Sequence, residues 1–180
     1  MIKNNVKTLI HDNENYEFTV DNLVHKSNIK AHPKFEKFLN IARDMSEISN
    51  FYRYRLGAIL VIKGRIVARG YNEAKSHPLQ KRYNIERTNI YDAAPHYRHA
   101  EMDVLRKIKK LDLDFKNAEL FVYHINTKGE QKMARPCAAC MKAIKSHGIG
   151  VIHYSTTDGF ATEYISQEKM MHVKNSRSPI

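Results

Sequence analysis

The tripeptide His99-Ala100-Glu101 is answered later in the chain by Pro136-Cys137-Ala138-Ala139-Cys140. No other feature constrains the fold as much. One histidine and two cysteines make three ligands for a metal ion, and zinc held by three protein ligands keeps a fourth position for water. Glu101 is not needed as a ligand, so its carboxylate can move protons at that position. A chain that uses these residues together must bring two distant segments to one point.

The pattern around the motifs says how. Residues 99–110 read as a helix with Met102, Leu105, Ile108 and Leu111 on one face, and residues 137–147 read as a second helix stopped by Gly148. Cys137 and Cys140 then lie three apart in a first helical turn, so both sulfurs reach one ion. A helix N-terminus and a cation both favour thiolate. His99 opens its own helix, so two helix N-termini are expected to converge on the metal. Residues 118–124 and 150–154 read as strands. Strand, helix, strand at this spacing predicts a right-handed parallel crossover.

Upstream, Pro33 suits the first turn of a helix whose apolar stripe is Phe35, Phe38, Leu39, Ala42, Met45 and Ile48. Residues 56–62 and 66–69 form a hairpin about Lys63-Gly64-Arg65. Asp158-Gly159 separates the strand at 151–156 from the run at 160–165 by too few residues for a parallel return. The last strand is therefore predicted to be antiparallel to its neighbour. The sum is an α/β chain in three layers, α/β/α, with a mixed five-stranded sheet and helices on both faces. Residues 33–166 form the expected domain. Residues 1–32 read as a polar extension with at most one short element near 18–24, and residues 167–180 as a polar tail. Residues 73–98, with Pro78 and Pro95, read as a long polar loop.

A chain of 180 residues, 42% of them hydrophobic, suits one domain with a real core. Lys and Arg number 30 against 19 Asp and Glu, a net charge of +11. That favours an anionic partner without naming it. The only two cysteines are three apart, and a disulfide there would close almost no loop. Residues 1–12 lack the apolar core of a signal peptide. The apolar stretch at 58–62 is far too short to cross a membrane. The expectation is a cytoplasmic chain with no membrane partner.

Each motif alone has other readings. A C-x-x-C is a redox pair or half of a structural zinc site in other settings, and His-Ala-Glu is a common helical tripeptide. Their conjunction is specific: Pro136 precedes the first cysteine, both motifs start helices, and a strand lies between them. Over roughly residues 55–165 the chain resembles the cytidine and deoxycytidylate deaminase superfamily. The resemblance implies Zn2+ on His99, Cys137 and Cys140, with Glu101 as the catalytic proton carrier. It implies hydrolytic deamination of a cytosine nucleotide or nucleoside. It also implies that the backbone around Ala100 helps hold the base, and that Asn72, in Gly70-Tyr71-Asn72, contacts the substrate. An asparagine there equally suits a turn. Arg135 is a candidate contact to a phosphate or a base edge, or simply a surface arginine before a helix.

The insert, with Lys75-Ser76-His77-Pro78 and Tyr83-Asn84, resembles phage-type enzymes acting on deoxycytidylate. That makes dCMP the first-choice substrate, while the antiparallel last strand pulls toward free cytidine or deoxycytidine. Lys75, Lys81, Arg82, Arg87 and Arg98 are weak candidates to grip a phosphate. His77 and His96 are the only candidate ligands for a second metal in the insert. A base within single-stranded DNA or RNA is the second-choice substrate. A zinc-stabilised binding or virion component that keeps the fold is the non-enzymatic alternative. Related proteins usually assemble, so a homo-oligomer is expected.

Overall fold

Alternation along the strands shows which side of the sheet each helix must cover. The computed structural model describes residues 7–11, 14–19, 22–27, 33–86 and 96–165, the first three stretches by their backbone alone. Three short strands come first, β1 (Lys7–His11), β2 (Glu14–Thr19) and β3 (Asn22–Ser27), then helix α1 (Pro33–Ile48). The hairpin is β4 (Arg55–Ile62) and β5 (Arg65–Tyr71). The insert contributes β6 (Glu73–Ser76), α2 (Pro78–Tyr83) and β7 (Tyr97–Arg98). Helix α3 (Ala100–Ile108), β8 (Ala118–Ile125), β9 (Gln131–Lys132), α4 (Ala138–Ser146), β10 (Val151–Ser155) and β11 (Phe160–Ile165) follow.

The main sheet runs β1-β2-β3-β11-β10-β8-β4-β5, with β9 added beside β8. The five expected strands lie side by side within it, as β5-β4-β8-β10-β11. Strands β8 and β10 are parallel, across the α4 crossover. Strand β11 is antiparallel to β10, from Val151↔Tyr164 to Ser155↔Phe160. The β4–β5 turn needs two left-handed residues, and Lys63 (φ 49°) and Gly64 (φ 74°) supply them.

Along β4, Ala58 and Leu60 face one core while Ile59 and Val61 face another. In β8, Leu120 and Val122 face the first, and Phe121 and Tyr123 the second. The first core is closed by Met102, Val104, Leu105 and Ile108 of α3 and by Ala143 and Ile144 of α4. The second is closed by Phe38, Leu39 and Ala42 of α1. This is the three-layer arrangement, with α1 on one face and α3 and α4 on the other. Among the described residues no helix is long and apolar enough to cross a membrane.

Three local expectations change. Residues 7–27 hold three strands, not one element near 18–24, because β3 pairs along β11 and continues the sheet past it. An uncovered β11 edge would leave a row of backbone groups unpaired. The insert is not all loop: β6 pairs with β7, and α2 lies between them in sequence. Ile48 is 58% exposed because α1 ends there, and Leu111 is exposed because α3 ends at Ile108. His153 of β10 is buried as well. It stacks at 4.4 Å on both Phe35 and Phe121, and its ring nitrogens meet Glu119 at 2.9 Å and Thr162 at 2.8 Å.

Helix α3 is anchored by charge as well as by packing. The buried Asp103 carboxylate lies 3.0 Å from Arg98 of β7, 2.6 Å from Arg106 and 2.8 Å from Lys107. Burial opposes the charge, but the hydrogen bonds from Lys107 and Arg106 outweigh it and hold the carboxyl below its ordinary range. A carboxyl shifted down stabilises the fold fully at neutral pH and loses that contribution as pH falls through its folded value. Asp103→Asn is expected to cost about 3 kcal/mol at pH 7, the low end for a broken buried pair because Arg106 and Lys107 are part-exposed. Denaturant unfolding should show the deficit shrinking below about pH 4. A second test concerns Gly57, where α1 crosses β4. A Cβ there would meet Ala42 O at 2.1 Å and Ser46 N at 2.3 Å, both rigid backbone. Gly57→Ala should destabilise by at least about 2 kcal/mol in the same assay.

Candidate active site

Both motifs sit at helix caps, and neither uses its side chain as a cap. His99 is the N-cap of α3 (φ −80°, ψ 159°) and Cys137 the N-cap of α4 (φ −69°, ψ 168°). An N-cap side chain normally turns back to accept an amide of its own helix. Here the two side chains turn to each other. His99 Nδ1 lies 3.6 Å from Cys137 Sγ and 3.4 Å from Cys140 Sγ. All three ligand atoms fall within 4.8 Å of one another. Tetrahedral zinc with ordinary Zn–S and Zn–N bonds would separate a sulfur from a nitrogen by roughly 3.6 Å. The donors therefore stand at the spacing the ion requires, and their softness suits zinc.

One of the two thiols is prepared for this. The hydrogen bond from Cys140, with help from the His99 imidazole, outweighs burial and draws Cys137 down to about 3. Burial pushes the enclosed Cys140 thiol up, and a cation at the centre would oppose that. Glu101, in the first turn of α3, is buried, and burial raises its carboxyl above the ordinary range. Its Oε2 is enclosed with no hydrogen-bond partner among the described residues. A carboxylate oxygen left open beside three metal donors fits a proton carrier better than a structural acid.

A pocket of about 110 Å³ opens beside these groups. It is lined by Asn72, His99, Ala100, Glu101, Arg135 and Cys137, all singled out from the sequence, and by Tyr54 and Leu56, which were not. Asn72 is pinned at the end of β5. Its Oδ1 accepts from Ser49 Oγ and from Leu56 N, each at 2.7 Å, and its Nδ2 donates to Tyr54 O at 3.0 Å. One amide hydrogen of Nδ2 is left over. Arg135 donates through Nε and Nη2 to the two oxygens of Glu163, both at 2.8 Å. Its side chain is 42% exposed while Glu163 is fully buried. The ion pair raises the guanidinium's affinity for its proton and fixes its plane.

Other candidates fall elsewhere. Arg98 is buried against Glu73 and Asp103, so it is committed to the fold rather than to a phosphate. Arg87 lies outside the described residues. His77 Nδ1 accepts from Leu79 N at 3.1 Å and caps α2, and His96 Nδ1 is 2.7 Å from Asn84 Nδ2. Among the described residues the His99, Cys137 and Cys140 group alone gathers three such ligands. Sequence reading missed Glu163 and Gln80. Gln80 Oε1 accepts from the His99 amide at 3.1 Å. Both contacts join residues far apart in sequence, and no local pattern signals them.

The family model described as the cytidine and deoxycytidylate deaminase zinc-binding region matches residues 33–156. No curated protein sequence matches the chain. Among solved structures, the chain is similar to a dCMP deaminase from the cyanophage S-TIM5. The identity is 26%, covering 69% of this chain and 84% of that one, with a TM-score of 0.49. It is also similar to a cytidine deaminase from Burkholderia pseudomallei, at 15% identity over 70% of this chain and 88% of that one, with a TM-score of 0.48. The family match spans most of the chain and includes all three metal donors and the buried glutamate, so the chain belongs to the cytidine and deoxycytidylate deaminase family and is a hydrolytic deaminase with a zinc site at His99, Cys137 and Cys140.

Proposed function

We propose that the chain converts a cytosine nucleotide to its uracil counterpart, with dCMP and water giving dUMP and ammonia. The observation that carries this is the open, buried Glu101 oxygen beside three zinc donors on the wall of a small pocket. Zinc in such a site supplies Lewis acidity that lets water lose a proton near neutral pH. Glu101 takes that proton, passes it to the ring nitrogen, and supports departure of ammonia. Its raised proton affinity suits a group that must hold and release a proton within one cycle.

The pocket is well below the roughly 300–1,000 Å³ of sites that enclose a drug-sized ligand. It therefore takes the ring and leaves the sugar and phosphate at the mouth. Leu56 and Ala100 flank the ring, and the spare Asn72 amide hydrogen serves a ring carbonyl or sugar oxygen. Arg135 keeps N–H donors beyond the two that Glu163 takes. Those, at the mouth, meet the phosphate. The catalytic unit is residues 33–166, which hold every pocket residue.

A second reading has one observation in its favour. Tyr54 lines the pocket and packs on Phe51 at 4.8 Å, and Tyr52 stacks on Phe51 at 5.2 Å while 61% exposed. Aromatic rings leading from a pocket, on a chain of charge +11, suit stacking of neighbouring bases in a single strand.

Ammonia release from zinc-loaded protein tests both readings on dCMP, deoxycytidine, cytidine and a cytosine-containing DNA oligonucleotide. Turnover of dCMP well above the nucleosides is expected, and no turnover of the monophosphate would sink the first choice. Salt-sensitive release from the oligonucleotide alone would favour the second. Glu101→Gln should lower kcat by about 10²–10⁴-fold while zinc stays bound. Arg135→Ala unpairs the buried Glu163 for either substrate, but should raise KM for dCMP by about tenfold more than KM for deoxycytidine, the scale of one charge-assisted contact. Equal effects on both substrates would remove the phosphate contact.

A further inference from the structure

We propose that Gln80, on the short helix of the insert, is a positioning residue for the zinc ligand His99. The inference rests on the zinc site described above. Gln80 is fully buried, and both ends of its amide are used. Oε1 accepts from the His99 backbone N–H at 3.1 Å, and Nε2 donates to Asn84 Oδ1 at 2.7 Å. Asn84 Nδ2 reaches His96 Nδ1 at 2.7 Å, and the His96 carbonyl accepts from His77 N at 3.2 Å. A chain of hydrogen bonds thus ties both ends of the insert to the amide of a metal ligand.

The tie answers a local deficit. The first amides of a helix have no partner within it. In a capping box, a Glu or Gln at the third helical position reaches back to the N-cap amide. In α3 that position is Met102, which offers no such acceptor. Gln80 supplies from the insert what α3 cannot supply itself.

The consequence reaches the metal through geometry. The ring nitrogen facing both sulfurs is Nδ1, the one nearer the backbone. Only two side-chain torsions separate that atom from the His99 Cα. Fixing the His99 amide fixes the donor, whereas freeing it lets the start of α3 shift and spreads the ligand geometry. Partners that orient a metal ligand typically change metal affinity by about 10- to 100-fold when removed.

The test measures zinc affinity by competition with a chromophoric chelator, alongside the visible spectrum of the cobalt-substituted protein and the Tm of the metal-free form. Gln80→Met keeps length and apolar bulk but loses the acceptor, and should bind zinc about 10- to 100-fold more weakly with an altered cobalt spectrum. Gln80→Glu keeps the acceptor but loses the donor to Asn84 Oδ1, and should lose less zinc affinity than Gln80→Met without reaching the wild-type value. Asn84→Ala leaves Gln80 in place with one end freed, and should weaken zinc by about three- to tenfold. Wild-type affinity and spectrum in a folded Gln80→Met, with only the metal-free Tm lowered, would overturn the proposal. So would equal losses in Gln80→Met and Gln80→Glu. If Gln80→Met does not fold, unchanged affinity in Asn84→Ala overturns it. Failure of the wild-type protein to bind zinc would instead overturn the metal centre itself.

Discussion

Three donors from two helix starts must meet within 4.8 Å, and the rest of the fold answers to that requirement. A helix start is a poor place from which to aim a side chain unless the helix itself cannot move. The structure fixes α3 through close contact with the sheet. At Gly70 of β5 a Cβ would lie 2.6 Å from Ala100 O and 2.9 Å from Val104 N, so α3 rests on bare backbone beside the motif. Helix α4 is held by Ala139, Cys140, Ala143 and Ile144, all fully buried. The β8–α4–β10 crossover and the β4–β5 hairpin put both helices on one face, with their N-termini at one end.

Electrostatics then divides the acids by task. Asp103 and Glu163 are both buried, and each is matched by cations: Arg98, Arg106 and Lys107 for the first, Arg135 for the second. Buried charges persist only when paired in this way. Glu101 is the exception, buried beside the metal donors with an oxygen that no described residue satisfies. The matched acids hold the frame, and the unmatched one stands beside the three metal donors. Arg135 links frame and pocket, because its buried partner fixes the plane of a guanidinium that also lines the pocket.

Much of the fold was legible because its signals are local. The stripe from Phe35 to Met45 follows the helical period, and the β4–β5 hairpin shows in the Lys63-Gly64 turn. The antiparallel last strand followed from the short spacer at Asp158-Gly159. The misreadings have physical causes. Residues 7–27 were not read as strands because what makes them strands is backbone pairing among β1, β2, β3 and β11, which side-chain types do not reveal. The burial of His153 carries no local signal, because Phe35 and Phe121 close over it only in the fold. The insert read as loop because its partners, β6 with β7 and Gln80 with His99, lie about twenty residues apart.

The sequence by itself determined the chemistry. Residue types at fixed short spacings, His-x-Glu and Pro-Cys-x-x-Cys, set which donors and which acid are available, since ligand softness and helical spacing are local properties. Only the tertiary structure decided what surrounds them. It put Asn72 and Arg135 on the pocket wall, set Glu163 behind the arginine, and brought Gln80 to the His99 amide. Those contacts depend on how helices and strands close over one another, and burial, which gives each hydrogen bond its weight, exists only once they have closed.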